Sequence, residues 1–208
     1  MNKNPWLDIS YEDYIGHMDS PEVDQYKMIN KVFKESLEDF SPKSVFVPGC
    51  TIGNGFEHID WSSVKSVTAL DINANYLDVV RQKYGHHPQL KIINADLQYW
   101  DSDSIKFDMI YAALVFEYVN VSTVLKMFYK SMHSRSRLIT ILQNESALQS
   151  KVSQTKYTSL EKLNSIMHLV NISDFEKILH QYGFEINDKK IITLNSGKIF
   201  SVYELVTN

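Results

Sequence analysis

The chain has 208 residues, enough for one domain with a well-buried core and short for two. Apolar residues make up 44% and charged residues 22%, a globular balance that argues against disorder, and a net charge of -4 without a long basic run disfavours a nucleic-acid partner. The single cysteine, Cys50, rules out an intrachain disulfide and fits a reducing compartment. The N-terminal MNKNPWLDISYEDY lacks the apolar core of a secretory signal, and no apolar run approaches the roughly 18 residues of a membrane span, so a cytoplasmic protein without a membrane partner is expected.

Taken in order, Ser20 as cap and Pro21 at a first helical position open a helix expected over Pro21–Phe40. Its apolar face carries Val23, Tyr26, Ile29, Val32, Phe33 and Leu37. Ser41-Pro42 breaks it. Ser44–Val47 is a short apolar strand that runs into a turn with Gly49, Gly53 and Gly55, and a helix is expected to follow through Phe56 and Ile59. Ser66–Leu70 is a strand ending at Asp71, Ala74–Tyr84 a helix, and Leu90–Ile93 a strand ending near Asp96. Phe107–Tyr111, Val119–Met132 and Arg137–Leu142 continue the alternation as strand, helix and strand. The polar stretch 143–158 reads as a long loop. Ser173 and Asp174 start a helix to Tyr182, stopped by Gly183. Phe184–Thr193 and Lys198–Val206 are strands joined by Asn195-Ser196-Gly197, a hairpin turn. Parallel strands need crossovers, and only the last pair is close enough to be antiparallel. The expected fold is therefore α/β: a Rossmann-like, doubly wound, mostly parallel seven-stranded sheet with a C-terminal antiparallel hairpin.

In such a sheet, ligands bind beyond the carboxyl ends of the strands, near the switch in strand order. The loops there hold Gly49–Gly55, Asp71, Asp96 and Ala112–Glu117. Glycine lets backbone approach a ligand, and a helix N-terminus after the loop would favour a carboxylate or phosphate. An aspartate one strand on, such as Asp71, suits the two hydroxyls of a ribose, or simply caps the next helix. Asp96, in NADL, can accept from an exocyclic adenine amine, or serve as a loop cap.

Four segments, Val45–Gly55, Ala69–Asn73 (ALDIN), Asn94–Leu97 (NADL) and Phe107–Val119 (FDMIYAALVFEYV), resemble the class I S-adenosylmethionine-dependent methyltransferases, in their small-molecule branch (methyltransferase type 11/12-like). The likeness covers about residues 25–142, and the hairpin at about 184–206 matches the family's antiparallel edge. The resemblance implies one methyltransferase domain over residues 1–208, with 1–40 as N-terminal lid and helix and 143–172 inserted over the substrate side. It implies S-adenosyl-L-methionine as cofactor. Gly49, Cys50, Thr51, Gly53 and Gly55 would hold the methionine end, and Asp71 the ribose, with Ile72 packed on the adenine. Asp96 and Leu97 would bind adenine, and Ala112 and Ala113 would line the sulfonium side. The sequence departs from the family's loop at two positions: Val47 stands where an acid is usual, and Thr51 replaces the middle glycine.

Displacement at an activated methyl mainly requires alignment, so no catalytic base is demanded unless the nucleophile is protonated. Glu117 and Tyr118 follow the fourth strand as candidate substrate-facing groups; a first-turn acid that steadies the next helix is an equal reading of Glu117. YEDYIGHM (11–18) is a candidate lid, with Tyr11, Tyr14 and His17 as its test residues and aromatic rings suited to a sulfonium. Tyr157–Val170, with Leu160, Leu163, Ile166, Met167 and Val170 at helical spacing, is a second lid candidate. Tyr111 reads as core and Cys50 as a small buried filler. No histidine shows metal-ligand spacing, so no metal is expected. The partner expected is a small-molecule methyl acceptor, and the chain a monomer or homodimer. Two alternatives stay open: a nicotinamide-dependent oxidoreductase, disfavoured by the glycine order and the hairpin, and a non-catalytic binding module, suggested by Val47 and Thr51.

Overall fold

The structure is a computed structural model that describes residues 4–102, 105–145 and 150–207. A seven-stranded sheet forms its middle, in the order β3-β2-β1-β4-β5-β7-β6. The strands are β1 (Ser44–Pro48), β2 (Ser66–Asp71), β3 (Leu90–Asn94), β4 (Phe107–Ala113), β5 (Met132–Gln143), β6 (Phe184–Thr193) and β7 (Ile199–Thr207). β1 to β5 pair in parallel. β7 runs antiparallel between β5 and β6, which makes the edge hairpin that the sequence predicts. Among the described residues, no helix is long and apolar enough to cross a membrane.

Strand alternation divides the core into two layers. Val45 and Val47 of β1 face one layer with Met109 and Tyr111 of β4, and Phe46 faces the other with Ile110 and Ala112. The first layer is covered by α1 (Tyr11–Met18), α2 (Gln25–Phe40) and α3 (Ala74–Tyr84), and the second by α4 (Val121–Lys130) and α5 (Ile172–Gln181).

Three helical expectations are corrected. The N-terminal helix does not start at Pro21. Ser20 and Pro21 lie in a turn whose Ser20 carbonyl accepts from Val23 and Asp24, and left-handed Asp24 (φ 50°) leads into α2 at Gln25. The helix after the glycine turn is absent: only a 3-10 turn, Phe56–His58, follows, so no helix N-terminus faces a ligand there. The second lid segment is a 3-10 stretch, Thr158–Ser165, rather than an α-helix, although Leu160, Leu163 and Met167 are buried as their spacing suggested. Smaller shifts occur elsewhere. α4 starts at Val121 on the cap Asn120, and α5 starts at Ile172 on the cap Asn171, whose side chain accepts from Asp174 N.

Candidate active site

A crevice opens at the carboxyl ends of β1, β2, β4 and β5. It is lined by residues from these strands, from the N-terminal segment and from the stretch around Leu160, and side chains leave a cavity of about 170 Å³ within it. Its floor is the turn after β1. Gly49 has φ +65°, and a Cβ there would lie 2.9 Å from Val115 Cγ2, so the backbone can pass only as glycine. Cys50 N donates to Leu70 O at 3.0 Å, which ties the turn to β2. Thr51 adopts φ 48°, the left-handed region that glycine would enter freely and a β-branched residue enters only under strain.

Asp71 fastens this floor. Its Oδ2 accepts from Thr51 N at 2.9 Å and its Oδ1 from Asn73 N at 2.8 Å. The carboxyl lines the crevice yet is only 5% exposed. Burial pushes its pKa up to about 6, against the pull of the Asn73, Thr51 and Ile72 amides. Asn73 then links floor to roof: its Nδ2 donates to Trp6 O (2.8 Å) and Ile9 O (3.1 Å), while its Oδ1 caps α3 through Asn75 N.

The roof is aromatic. Trp6 meets Tyr118 edge-on, with ring centres 5.2 Å apart, and Tyr14 at 6.3 Å. Tyr14 OH accepts from Asn54 Nδ2 at 2.6 Å, and burial raises the phenol to about 12, so it stays protonated. Asn54 Oδ1 is buried and unpartnered, a free acceptor at the crevice wall. Asp96 Oδ1 accepts from Gln98 N at 2.9 Å, and Asp96 lines the crevice beside Ile72 and Leu97.

The structure thus brings Tyr14, His17, Gly49, Cys50, Thr51, Asp71, Ile72, Asp96, Leu97, Ala113 and Tyr118 around one cavity. Five candidate residues from the sequence reading stand outside its lining: Gly53, Gly55, Ala112, Glu117 and Tyr11. Gly53 and Gly55 turn towards the core, where an added Cβ would meet the Tyr84 and Phe33 rings at 3.0 and 2.6 Å; packing accounts for both. Ala112 is fully buried in the opposite layer, and its carbonyl accepts from Thr140 Oγ1. Glu117 is only 1% exposed; its Oε1 accepts from Gln143 N at 2.7 Å, and its Oε2 has no partner. Burial raises its pKa to about 7. It therefore positions the end of β5 instead of facing a ligand. Tyr11 is exposed, at 40%, and also lies off the crevice.

Cys50 is buried, and burial raises its thiol well above the ordinary range, as suits a filler. Tyr111, read as core, donates to Ile29 O at 2.6 Å and also borders the cavity. Among the described residues, no group of His, Cys, Asp and Glu could hold a metal.

The sequence reading missed Trp6, Gln143, Lys151 and Lys198. Lys198 is 5% exposed; its Nζ donates to Lys151 O at 2.9 Å and contacts Gln143 Oε1 at 3.4 Å. A topological signal was available for it. β7 is antiparallel to β5, with Phe200 opposite Gln143, so the residue just before β7 must return to the carboxyl edge of the sheet.

Residues 47–140 match the family model described as a methyltransferase domain. No curated protein matches the chain. Solved structures with the same fold include magnesium protoporphyrin IX methyltransferase (ChlM) from Synechocystis with bound SAH (TM-score 0.66, 16% identity, 89% of this chain and 84% of that one). The N-methyltransferase NodS from Bradyrhizobium japonicum, in complex with S-adenosyl-l-homocysteine, is similar at TM-score 0.65 and 14% identity, over 89% and 88% of the two chains. The [4+2]-cyclase SpnF is as similar in shape, at TM-score 0.67 and 8% identity over 86% and 80%.

Proposed function

Because the chain carries the class I S-adenosylmethionine-dependent methyltransferase fold, with a methyltransferase domain over residues 47–140, we propose that it binds S-adenosylmethionine in this crevice and methylates a small molecule. The observation that carries the reading is the pairing of Asp71 with the Thr51 amide. It sets a carboxylate and a close-approach backbone turn side by side at the switch point of the sheet.

The Asp71 carboxyl takes the Thr51, Asn73 and Ile72 amides and keeps a lone pair for a ribose hydroxyl. Ile72 and Leu97 offer apolar faces for the adenine, and Asp96 an acceptor for its amine. Asn54 Oδ1 supplies an acceptor where the ammonium of the amino-acid end would need one, in place of the acid that Val47 replaces. Trp6, Tyr14 and Tyr118 bring aromatic rings to the crevice, and a ring face attracts a cationic sulfonium. When bound, S-adenosylmethionine supplies a methyl group already activated for displacement. The chain's own part is to align the acceptor with that methyl and to exclude water; a general base is required only if the accepting atom is protonated. ChlM and NodS, whose names give a porphyrin and an N-methylation, support a small-molecule acceptor here.

SpnF keeps a second reading in view, since a cyclase shares this fold; Val47 and the strained Thr51 favour a chain that binds without transferring. Calorimetric titration separates the readings. Heat with S-adenosylmethionine and S-adenosylhomocysteine and none with NAD is expected. Silence with both adenosyl ligands would overturn cofactor binding. Binding without methyl transfer to any of a broad panel of small acceptors would favour the second reading.

A further inference from the structure

The half of the cavity furthest from Asp71 is built differently from the rest. Asp71, Ile72, Asp96 and Leu97 lie over β2 and β3, while Gln143 and Lys198 lie beyond β4, over β5 and β7. Around them the lining is apolar: Met18 and Ile29 from α1 and α2, Val152, and Leu160, Leu163 and Met167 from the second lid segment. A lysine is almost never this deeply buried without a partner of opposite charge. Among the described residues, no carboxylate pairs with Lys198; its neighbours are the Lys151 carbonyl and the Gln143 amide oxygen. An ammonium carries three donors, and two are taken, which leaves one free beside the cavity.

His17, also lining this half, does not offset the charge. Its Nδ1 contacts Thr155 Oγ1 at 3.0 Å. Burial, with Lys198 second, pushes it down to about 4, so it is neutral and available for hydrogen bonding. An anion is the chemistry that a buried ammonium held only by neutral acceptors would recognise.

We propose, resting on the methyltransferase reading above, that the methyl acceptor is a small carboxylic acid whose carboxylate pairs with Lys198 while its apolar body packs against Met18, Leu160, Leu163 and Met167; a nucleophilic atom other than that carboxylate forms the bond to the methyl carbon as the carbon–sulfur bond breaks and S-adenosylhomocysteine leaves. The pairing orients the acceptor relative to the sulfonium and selects against neutral analogues, because a neutral group would leave the buried ammonium unpaired.

The competing source of the anion is the cofactor's own carboxylate, and the experiment is chosen to tell the two apart. Benzoate and benzamide are titrated calorimetrically into the protein, alone and saturated with S-adenosylhomocysteine, using the wild type, Lys198→Met and Lys198→Arg. Benzoate is expected to bind the saturated wild type at least ten-fold more tightly than benzamide. Lys198→Met is expected to lose that preference, and Lys198→Arg to keep part of it. S-adenosylhomocysteine and 5′-methylthioadenosine, which lacks the amino-acid end, are expected to bind Lys198→Met as they bind the wild type.

Equal affinity for benzoate and benzamide in the wild type would overturn the proposal, whether or not the variants fold. So would displacement of benzoate by S-adenosylhomocysteine, or a Lys198→Met protein that loses S-adenosylhomocysteine but not 5′-methylthioadenosine. Either result would hand Lys198 to the cofactor. Lysine-dependent benzoate binding by a protein that gives no heat with S-adenosylhomocysteine would overturn the methyltransferase reading instead and leave an anion site in this fold.

Discussion

Glu117→Gln should make the protein more stable, and only above mildly acid pH. The Glu117 carboxyl is buried, and half of it is unpartnered, so the fold favours its protonated form and raises its pKa from 4.5 to about 7. At about 1.36 kcal/mol for each pH unit between those values, the gap corresponds to ~3 kcal/mol. The direction follows from proton binding. Between pH 4.5 and 7 the folded chain holds a proton that the unfolded chain has released. The carboxyl's favourable contribution is therefore complete below pH 4.5 and is lost as pH rises through 7. Glutamine keeps the acceptor for Gln143 N and cannot ionise. Urea unfolding of both proteins at pH 4.5, 6 and 8 isolates the effect, because Asp71, also raised, titrates equally in both. The variant and the wild type should match at pH 4.5 and diverge by ~3 kcal/mol at pH 8, or about 6–12 °C in melting temperature for a chain of this size. Parallel pH profiles would show that Glu117 is solvated, and with it the assignment of the residue to the end of β5 would fail.

Three further outcomes follow from the crevice. Asp71→Ala removes the acceptor of the Thr51 and Asn73 amides, and should weaken S-adenosylhomocysteine at least ten-fold by calorimetry; wild-type affinity would refute the ribose assignment. Thr51→Gly relieves a left-handed β-branched residue worth about 1–3 kcal/mol of strain, offset by roughly 0.5–1 kcal/mol of unfolded-chain entropy, so it should raise the unfolding midpoint and tighten S-adenosylhomocysteine binding; a drop in both would show that the threonine is at ease. Gly16→Ala would place a Cβ 2.0 Å from Tyr157 Cζ, so the ring must leave α1; a loss of about 1–3 kcal/mol is expected, with S-adenosylhomocysteine affinity unchanged because both residues lie off the adenosine half.

The parts of this molecule that could be read in the sequence are those whose partners are close in the chain. α3 was predicted at its observed bounds, although its cap is Asn73 and not Asp71, whose carboxyl accepts from the Thr51 and Asn73 amides. The floor of the crevice was legible for the same reason: Gly49 and Asp71 sit on successive strand ends that pair in register. The absent helix after the glycine turn was not legible, because Phe56 and Ile59 are spaced as a helix would space them. Their burial against Phe33 and Trp61 is satisfied by a single 3-10 turn. Glu117 stayed open between two readings because an acid after a strand looks the same in one dimension whether it lines a cavity or, as here, accepts from the next strand's backbone. The far half of the cavity is drawn from residues 17, 143, 151 and 198, and no local pattern joins them; only the sheet order does.

Asn73 gives the crevice a property that none of its neighbours has alone. One side chain and its amide hold the start of α3, the orientation of the Asp71 carboxyl and two carbonyls of the N-terminal strap. Strap, acid and helix start are thereby welded into one cooperative unit, and lifting the first loosens the other two. Amide hydrogen exchange at Leu7, Asn73 and Leu77 should then proceed at a common rate and slow together when an adenosyl ligand is added. Ligand exchange would be timed by that shared opening and not by diffusion.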